Sequence, residues 1–360
     1  MFFFLLYIPV VFSFFRSTSW KTSRISMKQY EYAKEYFDFY NTFKSPILQQ
    51  SQNVNYQDFA KHNEGSYKVF EKNYKKIQEA NSYLASQNNS LVLDINQYAD
   101  IIDFEGNFTY DLMVNPISPD LSPSSYLKLL QTPLPYLEEL KGNEQGFHWN
   151  HSGFLSEVKN QGSCGSCWAF STTGALETFM RIHNYSVERL SEQELVDCSL
   201  ENHGCNGGLM HLAYDYVINK EGLYHESDYP YYAKDQNCTQ LNVSKAHGSA
   251  IIRYARTIPK SLLDLKVSVK KNPVAIALDA NNLFFRFYKK GVIDVPRNMS
   301  RELNHAVLLV GYDYDDDGMY WIIQNSWGKE WGDNGFCKLR ARPDEGTLLC
   351  QIYGVYPIEK

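Results

Sequence analysis

The chain has no excess of positive charge: its 360 residues carry 35 Lys+Arg against 41 Asp+Glu, a formal net charge of −6 and a pI near 5.9. No Lys/Arg cluster is interleaved with aromatic residues, so the electrostatic footprint of a nucleic-acid binder is missing. A comfortable membrane span is missing too. The almost uninterrupted apolar stretch at residues 2–15 has about the length of a signal-peptide core. The Lys or Arg that usually precedes such a core is absent, and Arg16 follows it instead, which leaves an uncleaved anchor as the alternative. Either reading sends the chain into the secretory route, and the expected product has no stable membrane association.

Cysteine is absent before position 164, and the seven present stand at 164, 167, 198, 205, 238, 337 and 350. An odd count leaves one thiol unpaired, while in an oxidising compartment the other six can form three bridges. Counting alone does not say which is free. Proline is missing from residues 27–85 apart from Pro46, and the charged, aromatic composition there predicts helices. In contrast, Pro116, Pro119, Pro123, Pro133 and Pro135 accumulate with serines, predicting an extended segment. With 44% hydrophobic residues the chain can bury a large core and holds more than one folding unit. Sequons at Asn88, Asn107, Asn150, Asn184, Asn242 and Asn298 agree with secretion.

What the chain does contain is a thiol placed for chemistry. Gln161-Gly-Ser-Cys164-Gly-Ser-Cys167-Trp168-Ala-Phe-Ser171 puts a cysteine directly before an apolar run of helical length. A helix starting at Cys167 aims its unsatisfied N–H groups and positive dipole end at the sulfur, which favours thiolate. Cys164 to Trp168 fit the local pattern C-G-[SA]-C-[WY], and on these residues the chain resembles the papain-like cysteine proteases of the cathepsin L branch. The resemblance implies an α+β fold of two subdomains, a helical left domain and a β-barrel right domain meeting at a cleft, preceded by a helical prosegment. Strand-like runs at 273–278, 305–310 and 320–323, following a helix-rich stretch, agree. Ser191-Glu-Gln-Glu194 reads as a capping box opening a short helix at 195–198.

Within the N-terminal helices Phe70, Asn73, Ile77 and Asn81 share one face. Spacing alone gives an ordinary amphipathic helix. They also match the last four positions of the family's Glu, Arg, Phe, Asn, Ile, Asn prosegment pattern, although Asn63 and Tyr67 replace its first two. Asp94-x-Asn96-x-Tyr98-x-Asp100 resembles a second prosegment motif with its first position altered. The expected organisation is a signal peptide at 1–19, an inhibitory prosegment at 20–142 and the peptidase domain at 143–360, with processing near Asn143. Acid is expected to release the prosegment through carboxylates such as Asp94 and Asp100, which would hold the catalytic part while ionised.

Peptide hydrolysis by a thiol needs a nucleophile, a proton carrier, an orienting group and oxyanion donors. Cys167 is the candidate nucleophile. His305 follows it by 138 residues, inside the interval of about 130–150 known for papain-like pairs, and is the candidate proton carrier. By resemblance, Asn325 in Gln324-Asn-Ser-Trp-Gly328 orients His305 and Trp327 shields their bond. Gln161 and the Cys167 N–H supply the oxyanion donors. Gly207 and Gly208 match the glycines that pair with an extended substrate. Leu209, Met210, Ala306 and Val355 match the S2 pocket, with Asn304 beside the histidine also counted in the substrate site. With no acid at Val355, an apolar P2 residue is expected and Arg rejected. No occluding insertion fits between Cys198 and Cys205, which favours an endopeptidase.

The family's bridges imply Cys164–Cys205 and Cys198–Cys238. Cys350 lacks its usual upstream partner, which leaves Cys337 and the expectation of a 337–350 bridge. Cys164-x-x-Cys167 is also a literal redox motif, but the thioredoxin-like βαβ context is absent. Asp313-x-Asp315-x-Asp317-Gly318 imitates a calcium loop, yet Gln324 stands where the bidentate glutamate belongs. No metal and no cofactor are therefore expected. The expected partners are protein and peptide substrates, the chain's own prosegment, and cystatin-like inhibitors, for a monomer that is lysosomal, vacuolar or secreted. The rival reading is a catalytically silent homologue acting as a binding or inhibitory protein.

Overall fold

A computed structural model describes residues 27–44, 55–101, 145–186, 189–249, 252–257, 262–294, 303–341 and 354–359. The signal segment, the proline-rich stretch, the processing site near Asn143, Cys350 and the sequons at Asn107 and Asn298 lie outside them.

Three helices come first among the described residues: α1 (Met27–Phe43), α2 (Tyr56–His62) and α3 (Glu64–Ser86). Their aromatic residues replace the aliphatic core of a usual helix bundle. Tyr36, Phe39 and Phe70 are fully buried, with ring centroids 5.2 Å (Tyr36–Phe70) and 5.0 Å (Phe39–Phe70) apart, the spacing at which offset and edge-on packing is favourable. Phe70, Asn73 and Ile77 are buried as their shared face predicts. The two asparagines on that face act as hooks rather than packing units. Asn73 Nδ2 donates to Ala99 O at 2.9 Å, and Asn81 brackets Leu93, donating to its carbonyl and accepting from its N–H at 2.8 and 2.9 Å.

Those hooks deliver strand β1 (Val92–Leu93) and the following turn to the rest of the molecule, where β1 pairs antiparallel with β5 (Tyr288–Lys290). Asn96 Nδ2 donates to Arg286 O at 2.7 Å, Gln97 Nε2 donates to Trp327 O at 2.7 Å, and Arg286 Nη2 returns two bonds to Tyr98 O and Ile101 O at 2.9 and 2.7 Å. The expectation that Asp94 and Asp100 grip the catalytic part is corrected. Asp94 Oδ1 accepts the neighbouring Ile95 N–H, and Asp100 pairs with Lys44 at 2.9 Å inside the N-terminal unit. Neutral amides and one guanidinium make the junction instead, because they can bind the backbone carbonyls that face them.

After β2 (Phe147–His148) comes the central helix α4 (Cys167–Ile182), buried from Cys167 through Met180. It is buried all round because both halves of the molecule pack on it, and its buried Glu177 is paired with Lys159. Helices α5 (Glu192–Cys198) and α6 (Met210–Asn219) cover one side. Ser191 caps α5 through Glu194 N–H at 2.9 Å, three residues earlier in helix start than predicted. Only half of the capping box forms: the Glu194 carboxylate turns away to Tyr224 N–H, Tyr216 and Lys245 at 2.6, 3.0 and 2.6 Å.

The other side is a largely antiparallel sheet of β3 (Ile252–Arg256), β4 (Val274–Leu278), β6 (Val292–Ile293), β7 (His305–Asp315), β8 (Gly318–Gln324), β9 (Phe336–Arg340) and β10 (Val355–Glu359), ordered β3-β10-β4-β7-β8-β9-β6, with β2 also on β7. The three predicted strand runs are β4, β7 and β8. Two more helices, α7 (Leu262–Lys271) and α8 (Leu283–Arg286), flank it. Gly174 of α4 faces Leu308 of β7 so closely that a Cβ there would lie 3.2 Å from the leucine, which lets helix and sheet meet directly.

Bridges Cys164–Cys205 and Cys198–Cys238 are formed. Of the expected 337–350 bridge, Cys350 lies outside the described residues; Cys337 carries a free thiol, 1% exposed, in the middle of β9. It faces the apolar core and stands opposite Ile323 of β8. Its strand register turns the sulfur inward, where it serves as a small apolar side chain.

Candidate active site

Cys167 and His305 approach the interface from opposite sides, one as the first residue of α4 and the other as the first residue of β7. Both are buried, at 5% and 3% exposure. Ser166, the cap residue of α4, makes no side-chain capping bond; its hydroxyl goes to Tyr231 at 2.6 Å. The first helical N–H groups therefore remain available to the sulfur. Burial pushes the Cys167 thiol up to about 11, against the N–H groups of Ala306, Trp168 and Cys167 itself, which pull it down. Burial also lowers His305 to about 4, against the Asn325 bond, which raises it. Burial thus favours the uncharged form of both groups.

His305 Nε2 lies 2.7 Å from Asn325 Oδ1. The same oxygen accepts the Ser326 N–H at 2.8 Å, and only an oxygen can face a backbone N–H. The amide orientation is thereby fixed, so Nε2 carries the imidazole proton and Nδ1 is left basic. Trp327 lies over the ring at 4.7 Å between centroids and 32°, and Phe285 meets Trp327 edge-on at 5.5 Å. These rings exclude water from the His305–Asn325 bond and hold the imidazole plane.

Gln161 is 2% exposed. Its Oε1 accepts from Ser326 Oγ at 2.7 Å, and its Nε2 donates one proton to Cys164 O at 2.9 Å. An amide nitrogen has two protons; among the described residues the second has no acceptor. The loop carrying Gln161 is anchored from beneath by buried Lys159, whose ammonium sits 2.5 Å from both Glu177 of α4 and Glu192 of α5. Such a buried cation is costly to leave alone and is stable here because two carboxylates share it.

Met210, Ala306 and Val355 are buried in one apolar cluster, with Leu209 packed against it. Ala277 and Leu303 join them there, which no local motif announced. Gly207 adopts φ 107°, ψ 177°, a backbone conformation open to glycine. A Cβ on Gly208 would come within 2.5 Å of Asn202 Oδ1 and 2.8 Å of Trp168, so both positions require glycine for shape. Gly207 O is already taken by His203 N–H at 2.9 Å, which leaves Gly208 as the better placed of the two to pair with a substrate strand. The Asn304 side chain accepts from Ala280 N–H at 2.8 Å and donates to Asp279 at 3.1 Å. Both ends of its amide are consumed in bracing the turn after β4. In the acidic hairpin, Asp315 forms a two-pronged ion pair with Arg340 at 2.6 and 2.8 Å.

The sequence signature described as papain family cysteine protease matches residues 144–356. The chain belongs to the papain family of cysteine proteases. It is 35% identical to cathepsin L1 of Drosophila melanogaster over 81% of this chain and 78% of that protein. It is 36% identical to the probable cysteine protease RD21B of Arabidopsis thaliana over 82% of this chain, and spans 61% of that longer protein. Among solved structures, the digestive procathepsin L2 proteinase of Tenebrio molitor larval midgut superposes with a TM-score of 0.71 at 31% identity, covering 91% of this chain and 99% of that one. The two halves described above are thus the helical and sheet subdomains of a papain-family endopeptidase, and the unit built on α1 to α3 is a helical prosegment.

Proposed function

We propose that the chain is a zymogen in which Cys167 attacks the scissile carbonyl, His305 carries the proton, Asn325 fixes the imidazole, and Gln161 with the Cys167 N–H receives the oxyanion. The observation that carries this reading is the His305–Asn325 bond with its oxygen identified by Ser326 N–H. It leaves Nδ1 to hold the thiol proton in the mature enzyme, so that the thiolate attacks and the carbonyl electrons move to oxygen as the sulfur–carbon bond forms. Collapse of that intermediate breaks the C–N bond, and the imidazolium protonates the departing amine. Water then attacks the acyl-enzyme, giving its proton to His305, and the thiol leaves with that proton restored.

Residues 1–19 would be removed as a signal, 20–142 would act as the intramolecular inhibitor and 143–360 would form the mature enzyme, in a lysosome, a vacuole or the extracellular space. The grip of Asn96, Gln97 and Arg286 across β1 and β5 supports inhibition by the chain's own N-terminal unit.

In the unprocessed chain Cys167 is held near 11 and His305 near 4 by burial. A thiol raised in this way is protonated below about 11, and an imidazole lowered in this way is uncharged above about 4. No ion pair is therefore present at pH 5–8. Removing the prosegment admits water and restores the charged pair. Iodoacetamide should inactivate the mature enzyme at pH 6 at least about tenfold faster than it alkylates Cys167 in the precursor; equal rates would contradict this assignment of charge states.

For specificity, the apolar cluster of Leu209, Met210, Ala277, Ala306 and Val355 supports a preference for Leu, Val or an aromatic residue at P2. A positional peptide library should show these exceeding Arg by about tenfold or more in kcat/KM. A library in which P2 Arg is favoured would refute the pocket assignment.

A further inference from the structure

The phenol of Tyr231 ties together the two parts of the chain that carry the oxyanion donors. Its hydroxyl donates to Gln161 O at 2.8 Å, and Ser166 Oγ lies 2.6 Å from the same oxygen. Because the single phenol proton is spent on the carbonyl, Ser166 must be the donor in the second bond. Ser166 immediately precedes Cys167, whose N–H is one oxyanion donor; Gln161 carries the other. The ring is fixed edge-on against Phe170 of α4 at 4.9 Å, and the Tyr231 N–H donates to Glu226 at 2.9 Å. Burial raises the phenol pKa further above its already alkaline value, so it remains a donor throughout the working range.

The remaining restraints on this loop come from elsewhere. Gln161 N–H and Oε1 are both held by Ser326, and Cys164 and Gly165 are held by Cys205. None of them links the Gln161 main chain to the residue before Cys167. Only the Tyr231 hydroxyl, among the described residues, bonds to both.

We propose that Tyr231 is a positioning residue of the oxyanion hole, its hydroxyl setting the spacing between the Gln161 amide and the Cys167 N–H so that both meet one tetrahedral oxygen. This rests on reading Gln161 as an oxyanion donor. Tyr231 itself touches no reacting atom. Its effect is confined to steps in which the carbonyl oxygen gains charge, because those steps alone require two donors at one point.

Tyr231→Phe keeps the ring and deletes both bonds. In the mature enzyme we expect kcat on a peptide amide to fall about 10- to 30-fold, a fraction of the 10²–10³ that follows outright removal of a donor, with KM changed less than about threefold. Alkylation by iodoacetamide between pH 5 and 8 should stay within about twofold, because it uses the thiolate and imidazolium but develops no oxyanion. A structural role alone would lower alkylation and hydrolysis together, and that result overturns the proposal. In a Gln161→Ala background the further loss from Tyr231→Phe should shrink to below about threefold, the signature of residues acting as a unit.

If Gln161→Ala lowers kcat while Tyr231→Phe does not, the positioning role is refuted and the oxyanion reading survives. If Gln161→Ala leaves kcat intact, both fall. Should Tyr231→Phe yield no alkylatable sites, Ser166→Ala carries the test by removing one of the two bonds: a loss of about threefold in kcat with alkylation retained supports the role, and an unchanged kcat overturns it.

Discussion

Cys167→Ser is expected to lower kcat/KM on peptide substrates by at least about 10⁴-fold and to leave the chain as unprocessed precursor. The change preserves side-chain volume at the head of α4, so folding should be unaffected and the loss chemical. A serine hydroxyl has a far higher pKa than a thiol, and His305, whose basic nitrogen is set for a thiol proton, cannot generate an alkoxide of useful concentration. Labelling by an epoxide inhibitor directed at papain-like thiols should vanish in the same variant. The experiment also separates the rival readings. A silent homologue would show no activity to lose, and a thiol–disulfide enzyme is already disfavoured because Cys164 is bridged to Cys205 and offers no dithiol. Undiminished peptide hydrolysis by Cys167→Ser would remove the nucleophile assignment.

Arg286→Ala should weaken the hold of the prosegment by about 2–4 kcal/mol, or ~30- to 1,000-fold, the sum of two hydrogen bonds from a buried guanidinium. Those bonds run to Tyr98 O and Ile101 O, while the Arg286 carbonyl itself receives Asn96 and Trp331 Nε1. The carbonyl bonds use backbone and should persist after the substitution, so the predicted loss belongs to the side chain alone. At pH 7 the Arg286→Ala precursor should mature at least about tenfold faster on a gel time course. The mature enzyme should retain kcat within a few-fold, since Arg286 contacts neither Cys167 nor His305 in the described hydrogen bonds. Unchanged maturation, with the variant folded by its melting temperature, would show that the guanidinium does not secure the prosegment.

Much of the chemistry was legible because it is written in short motifs with fixed consequences. Cys167 before an apolar run predicts a helix start beneath the sulfur, and α4 begins at that residue. Phe70, Asn73, Ile77 and Asn81 share a helical face whatever the rest of the fold does, and the structure uses that face. Other expectations failed where a side chain had several partners to choose from. Ser191 and Glu194 have the spacing of a capping box, but a half-buried lysine, a tyrosine and a backbone N–H compete for the glutamate and win. Asp94 and Asp100 suggested an electrostatic clamp, yet each found a partner within the prosegment. The cysteine count did not indicate that Cys337 faces the apolar core, which its place in the β8–β9 register decides, and its expected partner Cys350 lies outside the described residues.

The sequence by itself determined the fold family and the candidates for nucleophile, proton carrier and oxyanion donor, because the spacing and local context of Cys167, His305 and Asn325 constrain them strongly. Only the tertiary structure decided how those groups are held. Asn325 is oriented by Ser326, Ala277 and Leu303 join the apolar cluster of Met210, Ala306 and Val355, and the Gln161 main chain is tied to Tyr231 from 70 residues away. Contacts of that kind depend on which distant surfaces the packed core brings within 3 Å, and neither periodicity nor propensity carries that information.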